Sequence, residues 1–241
     1  GWFSVRTLLV LMLAVLLLYA WVRVELHVTQ PLVDMRMMAN RAVWTTNLVA
    51  LLVGVGMYAA FVLIPEYVQE PHRTGYGFGA SVGAGGVYLL PMTMMLLVFG
   101  SLSGVLERVI GPRRTLSAAT VASVLAWLLL VAVHAHPWEI YLASGLIGSG
   151  NGMALAAMSI LVTSAVRQDQ TGVANGINTV MRTVGGAVGA QVVATLIAHD
   201  TIRNLPSEHA YELSFLTGAI ALAMALVASR AVPRPYSVAP V

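Results

Sequence analysis

The apolar stretch Val173–Ala198 carries the residues of this chain best suited to chemistry inside a lipid environment. Wound as a helix at 100° per residue, Asn175, Asn178, Arg182, Gly186 and Gly189 fall within about 80° of one another. One face is therefore polar and then small, and the other is built of Val, Ala and Ile. Arg182 lies about 14 Å along that helix from Val173, at 1.5 Å of rise per residue. A guanidinium at that depth either snorkels to the nearer surface or faces a water-filled path. The asparagines on the same face favour the path. Asn151, near the middle of Ile140–Val162, makes a similar demand, because an unpaired amide in hydrocarbon is costly. Asn47 and Tyr58 fall inside Ala42–Ile64. Asn47, Tyr58, Asn151, Asn178 and Arg182 are thus the candidates for lining a cavity. Their chemistry is hydrogen bonding and charge pairing with a small molecule, not bond cleavage.

Residues for other chemistries are missing or misplaced. There is no cysteine, and all 13 basic residues are arginine, so thiolate metal sites, disulfides and lysine Schiff bases are excluded. No Gly-x-Ser-Gly turn, His-Glu-x-x-His pattern or mid-span Asp pair is present. His27, His72, His134, His136, His199 and His209 all fall in loops or at span edges, and His134 and His136 are too poorly spaced for joint ligation on a helix. Neither an enzyme, a metal site nor a cofactor is expected. The formal charge of +3 is too small to suggest nucleic acid. Glu66, Glu139 and Glu212 stand near span ends, so an acid that couples proton movement is expected elsewhere.

The elements that must position these residues are transmembrane helices. Of 241 residues, 58% are hydrophobic and 10% charged, against about a quarter charged in soluble domains. Seven stretches reach the roughly 20 apolar residues that span a bilayer. They are Phe3–Val22, Ala42–Ile64, Ser81–Gly104, Thr115–Val133, Ile140–Val162, Val173–Ala198 and Tyr211–Ser229. Trp2, Trp21, Trp44 and Trp138 mark span ends, as indoles do at headgroup level. Nine arginines (Arg23, Arg36, Arg41, Arg108, Arg113, Arg114, Arg167, Arg230 and Arg234) flank one side, and Arg6, Arg73 and Arg203 the other. The arginine-rich side is expected to be cytoplasmic, with the C-terminal tail inside and Gly1 outside. Gly1 in place of Met, so close to an apolar helix, fits the cut edge of a longer protein. Arg23–Arg41 reads as an amphipathic segment on the inner surface. Ser144, Gly148, Gly152 and Ala156, at four-residue spacing, make a smooth ridge for close helix approach, as do Gly186 and Gly189. Pro91 is expected to kink the third span, and Met92, Met94 and Met95 to pack in lipid or core.

The most specific local pattern is Gly104-Val-Leu-Glu-Arg-Val-Ile-Gly-Pro-Arg-Arg114, between the third and fourth spans. It resembles the cytoplasmic loop signature Gly-x-Leu-x-Asp-Arg-x-Gly-x-Arg of the major facilitator superfamily. Pro31-Leu-Val-Asp-Met-Arg36, Ile64-Pro-Glu-Tyr-Val-Gln69, Gly86-Val-Tyr-Leu-Leu-Pro91 and the run Gln170–Gly186 are similar in order and spacing to the fourteen-helix drug:proton antiporters (EmrB/QacA type). The resemblance implies an all-α integral membrane fold in which the last six helices form the C-terminal bundle. Residues 1–41 would be an extra linking helix plus the amphipathic segment, and residues 42–241 that bundle. It also implies alternating access around a central site, driven by a proton gradient, in a multi-pass plasma-membrane protein. The partners would be the bilayer, a missing N-terminal half and a small-molecule substrate. Gly104, Glu107, Arg108, Gly111, Arg113 and Arg114 would form the cytoplasmic gate loop, with the arginines bracing it and pairing with Glu107. Glu107 and Arg108 sit one position early relative to the signature, which places the acidic lock in doubt. The fifth-helix antiporter signature and the carboxylates of the first helices have no counterpart here. The opposing reading is a complete seven-helix scaffold or receptor without transport.

Overall fold

A computed structural model describes residues 4–28, 33–202 and 205–233. Phe3 at the start of the first expected span, Trp2, Pro31-Leu32 of the antiporter-like motif, Arg203 and Arg234 lie outside the described residues. Among the described residues, seven helical stretches are long and apolar enough to cross a membrane.

The chain divides into two compact units, Gly1–Asn40 and Arg41–Val241. In the first, α1 (Val5–His27) starts at Ser4, whose hydroxyl accepts from the Thr7 amide, and α2 (Met35–Ala39) starts at Asp34, which accepts from the Arg36 amide. α1 runs five residues past the expected end at Val22. The residues Arg23–His27, expected to belong to a surface segment, continue the span instead.

The second unit is a bundle of α3 (Arg41–Gln69), α4 (Val82–Val87), α5 (Leu90–Ile110), α6 (Pro112–Ala132), α7 (Pro137–Thr163), α8 (Thr171–His199) and α9 (Glu208–Ala231). The helices overrun the apolar stretches because hydrogen bonding continues to a cap, not to the last apolar side chain. Pro112 and Pro137 open their helices in the first turn, where the missing N–H costs nothing. Ser207 caps α9, and the side chain of Glu139 reaches back to the His136 amide at the start of α7. α3 passes through Pro65 to Gln69 instead of stopping at Ile64. The third span is two helices, α4 and α5, separated at Tyr88-Leu89, so Pro91 lies in the first turn of α5 instead of kinking a continuous helix. The short strands Thr201–Ile202 and Leu205–Pro206 pair antiparallel between α8 and α9.

The main packing partners are α5 with α7, α3 with α8, α6 with α7, and α9 with both α6 and α3. α7 is the most enclosed span; α5 and α8 leave long faces uncovered. Trp127 of α6 is fully buried against Gly218 of α9, with Gly56 of α3 beside it. Trp21, Trp44 and Trp138 are exposed.

Candidate functional site

The geometry is set by how closely α8 lies on α3. A Cβ placed on Gly185 would overlap the Leu51 carbonyl, and one on Gly189 the Val55 carbonyl; from the other side, one on Gly54 would overlap the Arg182 carbonyl. Gly186 lies flat on the Tyr58 ring. Such close backbone approach is how helices associate where lipid removes most of the hydrophobic drive. Residues 178, 182, 185 and 189 share the contacting side by the helical period. Gly186 and Gly189 were expected to pack; Gly54 and Gly185 were missed, although paired glycines in apolar spans were a usable signal.

One turn along the same seam, the Asn178 Nδ2 donates to Asn47 Oδ1 at 3.0 Å, with both side chains buried. The structure therefore brings two of the five cavity candidates together as an interhelical pair. Asn47 keeps its own Nδ2 without a partner. Double-mutant cycles on such bonds in membranes give about 0.6 kcal/mol on average and about 1.7 at most. Replacing Asn47 and Asn178 by Leu singly and together should return a coupling in that range, measured from unfolding in detergent. A coupling indistinguishable from zero would mean that the pair does not form.

Tyr58 is 36% exposed, and Arg182 is half-buried within electrostatic reach of its phenol. No carboxylate among the described residues pairs with Arg182. The two sit at the border between the α3 contact and the uncovered face of α8, where Thr179, Thr183 and Gln191 are exposed. Asn175 is half-buried on the same border.

Asn151 is placed apart from these, on α7. Only 2% of it is exposed, and its Nδ2 has no partner. Its neighbours on the chain explain the enclosure. Gly150 abuts Ser123 and Ala119 of α6, and Gly152 abuts Leu96 and Gly100 of α5. Gly148 lies on the Met92 carbonyl, and Ser144 is fully buried with its hydroxyl unpaired. Ser144, Gly148 and Gly152 thus sit on the α5 side of α7 or within its packed core.

At the opposite end of the bundle from the tyrosines described below, Gly111 joins α5 to α6 with φ +86, a conformation glycine adopts freely. Gly104 faces open space, and Arg108 and Arg114 are exposed. The expected pairing of Glu107 with arginine is absent among the described residues. Glu107 is 7% exposed and accepts from the Ser103 hydroxyl at 2.6 Å, leaving Oε2 unpaired. The helical period explains this: Glu107 shares a face with Ser103 one turn earlier, and Arg108 is rotated 100° away. Arg113 instead donates to the Arg230 carbonyl in the last turn of α9, satisfying one of the carbonyls a helix leaves open.

At the other end, Tyr67 is fully enclosed by rings of Tyr76, Phe78, His134, Tyr211 and Phe215, all within 6 Å between centroids. Its hydroxyl donates to the His134 carbonyl at 2.8 Å, and Tyr76 donates to the Pro206 carbonyl at 2.7 Å. Burial, with Glu70 and Glu208 nearby, holds the Tyr76 phenol above its ordinary range, so it stays a donor. Sequence reasoning named His134 as an edge histidine and Tyr67 within the motif Ile64–Gln69, but did not bring these rings together, because they come from separate segments of the chain.

A multi-pass helical membrane bundle with glycine-sealed helix pairs, an arginine-rich turn and an uncovered helix face of mixed polarity is the class of protein these observations define. The sequence profile of the Major Facilitator Superfamily matches residues 1–190 and, in a second alignment, residues 46–240; the chain belongs to that family. The family is one of membrane transporters and not of enzymes. Curated relatives include the multidrug resistance protein Stp of Mycobacterium tuberculosis, 25% identical over 199 residues, covering 82% of this chain and 36% of that protein. The multidrug transporter protein MdtP of Bacillus subtilis is 21% identical, with the same coverage. The methyl viologen resistance protein SmvA of Salmonella typhimurium is 23% identical over 190 residues, 78% of this chain and 37% of that protein. The chain thus spans little more than a third of the length of the curated relatives it matches.

Proposed function

We propose that this chain is the C-terminal part of a proton-coupled multidrug efflux transporter of the fourteen-helix branch, exporting small lipophilic or cationic compounds by alternating access. The observation that carries the reading is the uncovered face of α8. It bears exposed Gln191, Thr179 and Thr183 among exposed Val180, Val184 and Val188, with half-buried Asn175 and Arg182 at its edge. Lipid tolerates Thr183, whose hydroxyl bonds back to the Thr179 carbonyl, but not an amide and an unpaired guanidinium. A face of that composition suits a water-filled cavity shared with a second bundle. The relatives' names support drug efflux, and their greater length supports a partner half. Asn47 and Asn151, each with an unpaired amide nitrogen in the packed interior, leave hydrogen-bonding capacity for buried water.

Arg182 and Tyr58 are the candidates for lining this half of the cavity; Asn47, Asn178 and Asn151 are buried between packed helices instead. Arg108, Arg113 and Arg114 brace the turn at its arginine-rich, cytoplasmic end, the side on which the C-terminus lies. The bilayer is the plasma membrane, and the coupling carboxylate belongs to the N-terminal half.

The test is proton-driven efflux of a cationic dye by the full-length protein in membrane vesicles. Arg182→Gln should lower the initial rate at least about tenfold at unchanged membrane abundance, as expected for a group in a membrane pathway. Dye efflux indifferent to the proton gradient would overturn the coupling. A native product of 25.5 kDa that stands alone, without a partner chain, would overturn the half-transporter reading.

A further inference from the structure

We propose that the end of the bundle carrying the tyrosine knot holds a divalent transition-metal site, of the kind that takes Zn2+, formed by His134, Glu208 and Glu212. The three residues come from the end of α6 and the first turns of α9, and one ligand atom from each lies within 4.8 Å of the others. Glu208 and Glu212 are four residues apart on α9, so both carboxylates project from one helix face. As like charges at that spacing they repel each other unless a cation intervenes.

His134 supplies the independent argument. It is only 9% exposed, and its ring is held between Tyr67 and Phe215 at centroid distances of 5.6 and 5.8 Å. Its Nδ1 lies 2.7 Å from the Leu130 carbonyl oxygen. A carbonyl only accepts, so Nδ1 carries the hydrogen. With Nδ1 so engaged, Nε2 is the ring atom that faces Glu208 Oε1, 3.3 Å away. A metal ion or a ring proton on Nε2 can occupy the space between these two atoms.

The separation itself suits a metal. An imidazole nitrogen and a carboxylate oxygen bound to one tetrahedral Zn2+, at about 2.0–2.1 Å each, stand about 3.3 Å apart. The Nδ1–H bond to a backbone carbonyl is the support that metal-binding imidazoles use to fix tautomer and orientation. Glu212 is partly exposed and has a carboxylate oxygen within 4.8 Å of the other two ligand atoms; its Oε2 lies 3.6 Å from His209 Nδ1, and the side chain can turn to the metal. The fourth position is open to water, because the side chain of Glu208 is half exposed. Arg73 lines the same cavity of about 660 Å3 as Glu208, but makes no ion pair with it. One bound metal would tie the segment just after α6 to the first turns of α9. The site escapes a search for helical ligand spacing because His134 and Glu208 are 74 residues apart.

The experiment is titration of the purified full chain in detergent with Zn2+, by calorimetry and by thermal melting, with Co2+ as an absorbing probe of coordination. About one equivalent should bind, with a tetrahedral Co2+ spectrum and a higher melting temperature. Glu208→Gln and Glu212→Gln, both at partly exposed positions, should weaken binding by roughly 10–100-fold or more and leave the metal-free melt unchanged. His134→Ala should abolish it, and His209→Ala should leave it far short of the roughly 10–100-fold loss that follows removal of a supporting partner. No stoichiometric binding would overturn the proposal and assign the gap to a proton shared by His134 and Glu208. Binding lost in His209→Ala but kept in Glu208→Gln would overturn it too, as chelation by an exposed histidine.

Discussion

Gly185→Ala should destabilise the bundle as severely as any single methyl added to it, whereas Gly176→Ala, nine residues earlier on the same helix, should be neutral or stabilising. The two substitutions are chemically identical and differ only in what the new Cβ meets. At Gly176 it meets nothing within 4 Å; at Gly185 it overlaps the backbone of Leu51. Backbone cannot move aside as a flexible side chain does, so α8 must separate from α3 along the seam that includes Gly54 and Gly189. Overpacking of this kind typically costs about 1–3 kcal/mol, and more when it displaces a whole helix. In open space, replacing a helical glycine by alanine gains up to about 1 kcal/mol. The separation would also pull Asn178 away from Asn47, so the coupling between that pair should vanish in the Gly185→Ala background. Melting in detergent, followed by size-exclusion chromatography, measures both substitutions. Equal melting temperatures would mean that α3 and α8 are not in contact at this register.

The contrast marks where sequence patterns reach and where they stop. The seven spans were legible because lipid accepts only long apolar helices, and hydropathy reports that requirement directly. Their ends were less legible. Ser4, Asp34 and Ser207, as capping residues, and Pro137, as a first-turn residue, decide where a helix begins, and hydropathy reports none of these roles. The polar face of Val173–Ala198 was legible from its period, but that Asn178 is spent on Asn47, 131 residues away, was not. Periodicity describes one helix and is silent on the neighbour it faces. Glu107 shows the same limit: its proximity to three arginines in sequence suggested ion pairing, and one turn of helix geometry directs it to Ser103 instead. The tyrosine knot is assembled from four chain segments and the His134 cluster from two that lie 74 residues apart, so no local pattern announces them.

Tyr67→Ala and Tyr67→Phe together separate two roles for that knot. Tyr67 is wholly buried and touches five aromatic rings, so truncation to alanine should cost about 3–5 kcal/mol, as for other large aromatic side chains in packed interiors. Phenylalanine keeps the ring and its edge-to-face contacts but leaves the His134 carbonyl without its 2.8 Å partner. That change should cost about 0.5–1.5 kcal/mol. The knot joins α3, α6 and α9 with the segment after α3, all inside one bundle, and none of its rings belongs to the uncovered faces of α5 and α8. If the bundle rocks as a rigid body, these contacts persist through the cycle. Tyr67→Phe should then lower the melting temperature while transport per folded molecule stays unchanged. The reverse result, an unchanged melt with a transport rate reduced tenfold or more, would show that the knot opens during the cycle and that this end of the bundle is itself a gate. Because Tyr67 also holds the His134 main chain, the same variant should weaken Zn2+ binding modestly, by an amount smaller than Glu208→Gln; a larger loss would place the orientation of the His134 ring under the control of that one hydroxyl.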